Sequence, residues 1–303
     1  MTKQMRLCLL FITTMLLAAC SNDTEEDSGK GTGANENANP TTIKEYARTE
    51  FPHLKGGNST VIIYRTSSSQ YDKDRVNFAV EWDNEKKSQR WTCYILTSAN
   101  KVANVSRYYG DPQYPNDNVN LNTTQYYEHD YIYGSGFDHG HICPSNDRLY
   151  SSEANYQTFH MTNMQPQYSV FNGSDRNYKY KGLWINMESF VHNVKLGRND
   201  TLFVCKGGTI DKEEYILKRI SGKLIVPKYF FSAILLKNAQ GYRALGFWFE
   251  HTNVYHGDES LAGYTLSIDE LEKKTGIDFF CNLPDNIENE VESKVALNAW
   301  GLQ

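Results

Sequence analysis

The sequence predicts a mixed α+β fold in which an antiparallel-rich central sheet carries packed helices. Three observations support this prediction. Apolar residues that alternate with polar ones, as in half-buried strands, dominate the first half of the chain. Longer apolar runs that suit fully buried strands occur later. Apolar residues at helical spacing are confined to few segments.

The strands are predicted in order along the chain, beginning with a strand at 61–64. Two apolar series alternate with polar neighbours on either side of a polar turn at 83–87. They are Phe78, Val80 and Trp82, then Trp91, Cys93 and Ile95. This pattern predicts a hairpin with one buried face. Apolar runs at 202–205, 229–236 and 242–249 predict buried strands of the central sheet.

Two helices have clear sequence signals. An apolar stripe at helical spacing predicts a helix over 183–194, and its members are Leu183, Met187, Phe190, Val191 and Val194. A second helix is predicted to begin at Ser267, because Ser267 and Glu270 have the spacing of a capping box. Gly276 is expected to end that helix.

The N-terminal region predicts export from the cytoplasm. Lys3 and Arg6 precede an apolar segment too short to span a bilayer, and small residues precede Cys20. Residues 1–19 resemble a bacterial lipoprotein signal peptide, which implies a membrane anchor through a lipidated Cys20 at the outer membrane. The alternative is a secretory signal with a coincidental cysteine. Residues 20–45 are polar and predict a disordered tether whose acidic run suggests the cell surface. Residues 46–303 predict a single domain.

Charge and cysteine content limit the functional classes. The chain has 31 basic and 36 acidic residues, and the formal net charge of −5 becomes −7 when Lys3 and Arg6 leave with the signal. Such a protein is not attracted to nucleic acid as a whole, so binding would need a local basic strip. Four cysteines remain beyond Cys20, and they are Cys93, Cys143, Cys205 and Cys281. Three disulfide pairings and free buried thiols all remain open.

The segment 134–144 contains the residues most suggestive of catalysis. His141 is a candidate general base, because an unperturbed imidazole has a pKa of about 6.5 and can deprotonate water near neutral pH. Gly140 would let the backbone turn and direct the ring into a cleft. Asp138 could help to hold the same loop. The alternative is a pair of surface histidines in a glycine-rich turn.

Two downstream residues are candidates for binding a metal ion. The amide oxygen of Asn172 is a neutral ligand that suits a hydrated Mg²⁺ ion. Glu188 flanks the apolar stripe of the predicted helix, where its carboxylate could reach metal-bound water. The alternatives are a polar loop residue and a solvated helix face. A zinc site is a competing hypothesis, and its donors would be His139, His141, Cys143 and His160.

These residues, taken together, resemble the DNA/RNA non-specific endonucleases of the ββα-metal (His-Me finger) superfamily. Asp138-His139-Gly140-His141 is similar to the family's Asp-Arg-Gly-His tetrad, and 163–167 to its Asn-Met-x-Pro-Gln segment. Trp184 and Glu188 are similar to its Trp-x-x-x-Glu, and 226–230 and 267–280 provide further matches. The resemblance covers roughly 76–284.

The resemblance implies a role for each matched residue. It makes His141 the general base of a ββα-metal finger and Asn172 the ligand of one Mg²⁺, with Mn²⁺ as the alternative ion. Glu188 would hold waters around that ion, and Asn163 and Asp138 would support the site. The implied substrates are DNA and RNA, and the implied products carry 5′-phosphates.

The sequence departs from the family pattern at two places. His139 replaces an arginine, and histidine cannot reproduce a permanently charged bidentate phosphate donor. His139 itself, Arg148 or Arg176 are candidates for that contact. The gap between Asn172 and Trp184 is longer than usual, and the extra loop at 173–181 has basic and tyrosine residues that suit phosphates and bases. The loop also makes Asn177 an alternative metal ligand.

The sequence therefore predicts an extracytoplasmic, lipid-anchored, metal-dependent endonuclease that cuts DNA and RNA with little sequence specificity. A catalytically degenerate relative that acts as a surface binding lipoprotein is the alternative from another class. A metal-dependent phosphatase of small esters is a second alternative, which the internal cutting of polymers would distinguish.

Overall fold

A seven-stranded antiparallel sheet organises the protein, whose computed structural model describes residues 35–115 and 130–302. The strand order is β1-β2-β3-β6-β9-β10-β11, and all neighbouring strands are antiparallel. The described residues belong to one compact unit at 32–303. The predicted signal peptide, Cys20 and the first part of the predicted tether lie outside the described residues.

Eleven strands and six α-helices occur in the described part of the chain. The strands are β1 Ser59–Arg65, β2 Val76–Asp83, β3 Ser88–Leu96, β4 Asp138–His141, β5 Met164–Gln167, β6 Thr201–Gly208, β7 Ile216–Ile220, β8 Leu224–Pro227, β9 Tyr229–Asn238, β10 Gly241–Glu250 and β11 Thr265–Leu266. The helices are α1 Ser152–Gln157, α2 Ser169–Asn172, α3 Leu183–Asn193, α4 Ile268–Thr275, α5 Asp285–Glu292 and α6 Leu297–Trp300. Six short 3₁₀ helices join them in the same ranges, at Lys44–Ala47, Ser145–Arg148, Met161–Asn163, Arg176–Tyr178, Glu213–Tyr215 and Leu261–Tyr264. No helix in these ranges is long and apolar enough to cross a bilayer.

The predicted hairpin is present as β2 and β3, but the prediction that it has one buried face is wrong. Ala79 pairs with Cys93 and Val80 pairs with Thr92. Cys93 therefore faces the side of the sheet opposite to Val80, because directly paired residues share a face and neighbours alternate. Every residue of β2 is buried. Both faces of the hairpin are covered by other parts of the protein. The polar residues that alternate with the apolar ones therefore do not face solvent.

Two hydrophobic layers cover the sheet. On one face, Trp184, Met187 and Val191 of α3 pack in a cluster with Val80 and Val204. On the other face, residues of α4 and α5 pack against Ala79, Cys93 and Phe231, and they are Ile268, Leu271 and Val291. Each fully buried aliphatic side chain contributes roughly 1.5–3 kcal/mol to stability. The two layers explain why the central strands are apolar on both sides.

A small finger lies beside the large sheet. Strand β4 pairs with β5, with Asp138 opposite Gln167 and His141 opposite Met164. Gly140 is required in β4 because a Cβ atom there would lie 2.3 Å from the side chain of Gln167. The two strands and α3 form a ββα unit, and Trp184 Nε1 on α3 donates a hydrogen bond to the His141 carbonyl at 3.0 Å. The predicted α+β architecture is confirmed.

The second predicted helix has the expected ends. Ser267 accepts a hydrogen bond from the Glu270 amide, and the Glu270 side chain returns the contact, so the capping box is complete. Gly276 ends α4 with a φ of 72°, a left-handed conformation that glycine adopts without strain.

The predicted tether extends too far toward the C-terminus. Asn35 donates hydrogen bonds to the carbonyls of Cys281 and Leu283, and Asn39 is 3% exposed. Asn39 also donates to the carbonyl of Pro52 at 2.9 Å. The composition of 35–45 is polar, but its amide side chains bind backbone carbonyls and dock the segment without a large apolar surface. All four cysteines of the domain are free, buried thiols.

Candidate active site

A cleft of about 690 Å³ opens between the finger and α3. Five residues that the sequence analysis singled out line it: Asp138, His139, His141, Asn172 and Glu188. They come from β4, the end of α2 and the middle of α3, so the fold brings together side chains that are distant along the chain. Asn163, Arg148 and Arg176 are not among the lining residues.

His141 combines burial with an unused nitrogen atom. Nε2 is buried and has no hydrogen-bond partner among the described residues, and the ring makes an edge contact with Phe159 at 4.9 Å between centroids. Burial lowers the pKa of His141 well below its usual value, and the positive charge of Arg107 lowers it further. A hydrogen bond with the backbone of His139 opposes these effects. His141 is therefore a neutral imidazole at pH 7, with a free nitrogen that can accept a proton.

Asn163 holds the chain that follows His141. Its Oδ1 accepts a hydrogen bond from the Cys143 amide at 2.8 Å, and its Nδ2 donates to the Cys143 carbonyl at 2.9 Å. Nδ2 also donates to the carbonyl of Thr158, while the Asn163 carbonyl accepts from the Ile142 amide. Asn163 is fully buried, so it positions the β4 exit without reaching the cleft.

Asp138 orients Asn172. Asn172 Nδ2 donates to Asp138 Oδ2 at 3.0 Å, and Asp138 also accepts hydrogen bonds from the hydroxyls of Ser169 and Ser174. The amide oxygen of Asn172 has no partner in the described part of the chain, and it is the acceptor end of a side chain that lines the cleft. Gly173 ends α2 immediately after Asn172 with a φ of 89°. Asn172 is thus held with its neutral oxygen available.

Glu188 forms a buried ion pair. Lys206 Nζ lies 2.9 Å from Glu188 Oε1, and the Lys206 side chain is fully buried. Burial raises the pKa of Glu188, while the positive charge and hydrogen bond of Lys206 lower it and the nearby Asp147 raises it. One carboxylate oxygen is therefore engaged by Lys206. Lys206 Nζ also lies over the Trp184 ring at 4.9 Å.

Arg107 is a cleft residue that the sequence analysis missed. It lines the cleft, and its guanidinium lies 4.7 Å from the centre of the Phe159 ring. It makes no hydrogen bond or ion pair within 35–115 and 130–302. Its charge nevertheless lowers the pKa values of both His141 and Glu188, and both Arg107 and His141 contact the Phe159 ring. Arg107 lies in an irregular segment with no motif, which is why no local pattern indicated it.

Neither of the two predicted substitute arginines lies in the cleft. Arg148 is 1% exposed, with its guanidinium 4.5 Å from the centre of the Tyr94 ring and bonded to the carbonyls of Asp147 and Ile95. It has no access to a phosphate, so that prediction is wrong. Arg176 is exposed on the 3₁₀ helix Arg176–Tyr178, outside the cleft lining.

His139 is engaged by neighbours at the cleft mouth. Its Nε2 lies 2.8 Å from Asp130 Oδ2, and its ring stacks on Tyr114 at 3.8 Å between centroids. Burial acts to raise the pKa of Asp130, but the hydrogen bond and charge of His139 outweigh it and lower the pKa. The Nε2 atom of His139 is therefore occupied by the carboxylate of Asp130.

The extra loop at 173–181 packs against another surface loop. Lys181 pairs with Asp258 at 2.7 Å, and Tyr178 stacks on Tyr255 at 4.1 Å. Asn177 is exposed and does not line the cleft, whereas Asn172 does. The geometry therefore favours Asn172 over Asn177 as the metal ligand.

The four candidate zinc donors do not converge. Cys143 is fully buried and His139 is bound to Asp130. Within the described ranges, the groups of three or more histidine, cysteine or acidic residues that could hold a metal ion do not include these four.

Comparisons with known proteins agree with this arrangement. The model of a family described as DNA/RNA non-specific endonuclease matches residues 56–286. A nuclease of Nostoc sp. is 29% identical over 256 residues, which cover 80% of this chain and 85% of that protein. The mitochondrial nuclease EXOG of Xenopus laevis is 26% identical over 234 residues, which cover 72% of this chain and 59% of that protein.

A solved structure of an EndoG/EndoGI complex is similar in fold. The TM-score is 0.56 at 17% sequence identity, and the match covers 75% of this chain and 89% of that chain. The likeness concerns the fold alone. It confirms the predicted α+β fold.

Proposed function

Because the chain belongs to the DNA/RNA non-specific endonuclease family, we propose that its cleft hydrolyses internal phosphodiester bonds of DNA and RNA with a divalent metal ion. Membership of this family establishes that the protein is a nuclease. The proposal of metal-dependent hydrolysis rests mainly on the neutral His141. Its Nε2 has no partner in the described part of the chain, and the residue lines the same cleft as Asn172 and Glu188.

His141 acts as the general base. Hydrolysis requires that a water molecule lose a proton as it attacks phosphorus, and only an unprotonated imidazole can accept that proton. The lowered pKa of His141 keeps it unprotonated at neutral pH. Asn163 fixes the backbone after β4, and the Trp184 hydrogen bond fixes the His141 carbonyl, so two independent contacts hold the backbone from which the ring projects.

The donor atoms fit a hard divalent cation. Asn172 provides a neutral amide oxygen and Glu188 provides a carboxylate oxygen that Lys206 does not occupy. Oxygen donors of this kind suit Mg²⁺, which keeps most of its waters, and Mn²⁺ would also fit. Asn172 would bind the ion directly and Glu188 would bind its waters. When bound, the ion would stabilise negative charge on the phosphate and the leaving oxygen.

Arg107 supplies the positive charge that the second tetrad position lacks. Its guanidinium is unpaired in the described residues and close to His141, so it is placed to bind a non-bridging phosphate oxygen. His139 is bound to Asp130 and is not available for the same role. A phosphate contact of this type has no base specificity, which suits cleavage of both DNA and RNA.

We also propose that the protein is exported and anchored through a lipidated Cys20. The support is the order of a basic start, a short apolar segment and small residues before Cys20. Incorporation of an alkyne-labelled fatty acid by the wild type, but not by Cys20→Ala, tests the anchor. Equal labelling of the two proteins would contradict it.

A cleavage assay tests the nuclease proposal. Closed-circular plasmid and a long RNA are incubated with protein from Ser21 onward, with Mg²⁺, Mn²⁺ or EDTA. The expected result is nicking followed by degradation of both polymers with metal only. Absence of cleavage under every condition would favour the alternative, a degenerate relative that binds a partner at the cell surface. Release of phosphate from small esters without cutting of polymers would favour a phosphatase.

A further inference from the structure

A second cavity, of about 410 Å³, is lined mainly by acidic residues and shares no residue with the catalytic cleft. Its acidic side chains come from α4, from α5, from the connection between them and from the N-terminal segment. They are Glu36, Asp269, Glu272, Asp278, Asp285, Glu288 and Glu292. Asn37 and Asn289 complete the lining. So many carboxylates in one partly buried place require compensation from some source of positive charge.

Three of these carboxylates converge closely. Asp269, Glu272 and Glu292 each offer one oxygen atom, and these oxygens lie within 4.8 Å of one another. Oxygens bound to one Ca²⁺ ion at about 2.4 Å are separated by at most about 5 Å, so this spacing fits a shared ion. All three donors are oxygen atoms, whereas zinc prefers sulfur and nitrogen ligands, so the group does not suit zinc.

One buried carboxylate oxygen of Glu292 has no hydrogen-bond partner in the described residues. Its side chain is 5% exposed, lines the cavity, and its Oε1 is buried without a hydrogen bond in the described residues. An unpartnered carboxylate oxygen in this position is costly unless it is protonated or bound to a cation. Oδ1 of Asn37 is likewise buried without a partner, while its Nδ2 donates to Asp278 and Glu288.

Ordinary structural roles explain only part of the cluster. Asp269 lies in the first turn of α4, where negative charge is favourable, and Glu272 accepts a hydrogen bond from the Phe279 amide at 2.7 Å. Glu292 lies at the last position of α5, where negative charge is unfavourable. No lysine or arginine of the described ranges forms an ion pair with any of these three residues.

Burial, together with the neighbouring carboxylates, raises the pKa values of several acidic groups in this cavity. Burial raises the pKa of Glu292 to about 10, with further increases from Glu272, Glu288, Asp278 and Asp269. Burial also raises the pKa of Glu272 to about 8 and that of Glu288 to about 7. Burial raises the pKa of Asp278 as well, although the hydrogen bond from Asn37 and the charge of His53 oppose this increase.

We propose that Asp269, Glu272 and Glu292 bind a Ca²⁺ ion that fastens α5 to α4. Ca²⁺ accepts six to eight oxygen ligands in flexible geometry, whereas Mg²⁺ demands a regular octahedron and keeps its waters, so a cluster of carboxylates favours Ca²⁺. Asn37 of the N-terminal segment donates hydrogen bonds to Asp278 and Glu288 of the same cavity, so the ion would also stabilise the docking of residues 35–39. The site is structural and independent of the catalytic metal ion.

The test is thermal unfolding of the full chain after removal of metal ions. At Ca²⁺ concentrations about 100-fold above Kd, the Tm of the wild type is expected to rise by roughly 5 °C over its value in EDTA. Glu292→Gln should lose most of this rise. Glu290→Gln is the matched control, because Glu290 is exposed on the same helix and pairs with Lys294. It should keep the full rise.

Two further measurements separate this site from the catalytic cleft and from a loss of folding. Asn172→Ala should keep the Ca²⁺-dependent rise, and in EDTA Glu292→Gln should unfold at or above the wild-type Tm because one acidic group is gone. The proposal is overturned if the wild type shows no rise, if Glu292→Gln keeps it, or if Asn172→Ala abolishes it.

Discussion

Asn172 donates its amide Nδ2 to Asp138 Oδ2 at 3.0 Å, and this contact determines which end of the Asn172 side chain remains available. An asparagine that is free to rotate would present either its oxygen or its nitrogen to the cleft. With the nitrogen bound to a carboxylate, only the oxygen can act as a metal ligand. In the proposed metal site, Asp138 would therefore act as an outer partner that orients the ligand.

Replacement of Asp138 should change the Mg²⁺ concentration that cleavage requires more than it changes the cleavage rate at saturating Mg²⁺. Asp138→Ala frees the Asn172 amide, so the Mg²⁺ concentration for half-maximal cleavage should rise by about 10–100-fold. Plasmid cleavage across a Mg²⁺ titration measures this shift. Asp258→Ala, at an acidic residue on the loop that pairs with Lys181, should leave the titration unchanged. An unaltered Mg²⁺ requirement in Asp138→Ala would refute the positioning role.

Removal of the general base should abolish most activity. His141→Ala is expected to lower kcat by about 10²–10⁴-fold, because no other group in the cleft can accept the proton at the same place. Initial rates on plasmid measure the loss, and circular dichroism checks the fold. His256→Ala, at a partly exposed histidine paired with Glu259, is the control and should retain full activity. Full activity of His141→Ala would exclude its assignment as the base.

The pH dependence of cleavage should extend into the acid range. The pKa of His141 is well below 6.5 in the folded protein, so the active neutral form persists as the pH falls through 6.5 and is lost only below the lowered pKa. The acid limb of kcat/KM should therefore lie below pH 6.5. A limb above pH 7, at constant bound metal, would contradict a neutral and buried His141.

The same shift affects stability with a defined sign. Between the lowered pKa and about 6.5, His141 of the unfolded chain binds more protons than that of the folded chain, so stability falls as the pH decreases through this window. His251, whose pKa burial lowers to about 4, contributes in the same direction. Urea unfolding of wild type and His251→Gln at pH 4.5 and 7 should show a smaller pH effect in the variant.

Loss of Arg107 should change both rate and pH profile. Arg107→Gln removes a cation that lowers the pKa of His141, so the acid limb of kcat/KM should move to higher pH while the rate falls by about 10²-fold. Arg198→Gln, at an exposed residue outside the cleft lining, is the control. A lower rate with no movement of the acid limb would mean that Arg107 does not act on His141.

The Lys206–Glu188 pair should be sensitive to removal of one partner. Lys206→Met leaves Glu188 buried without its cation, at a cost of about 3 kcal/mol in the free energy of unfolding. The double variant Lys206→Met/Glu188→Gln should recover part of this loss, because no unpaired charge remains. Urea denaturation measures both values. A double variant less stable than Lys206→Met would exclude charge burial as the cause.

Local sequence signals mark several residues that the fold brings to one cleft, whereas the positions of other residues depend on tertiary packing. His141, Asn172 and Glu188 lie in short motifs, and α4 has its capping box, so each could be recognised from neighbours. Arg107 and Arg148 could not be assigned this way. One lies in an irregular segment that the fold brings to the cleft, and the other is held under the Tyr94 ring.

The hairpin illustrates the same limit in the core. Alternation in β2 correctly predicted a strand, but a solvent face cannot be distinguished from a second buried face when polar residues are also buried. Glu81 and Thr92 are fully buried at polar positions of this hairpin. The covering helices α4 and α5 come from the far end of the chain, where no pattern in β2 could reveal them.

The four free thiols have a consequence for handling the protein. Cys93 and Cys205 face each other across β3 and β6, and burial raises the pKa of both well above 9, as it raises that of Cys143 to about 12. Such thiols react slowly with oxidants and with alkylating reagents. Since no covalent cross-link holds the described fold together, it can be reached in a reducing cytosol without oxidative folding helpers. Dithiothreitol in a purification buffer removes nothing on which that fold depends.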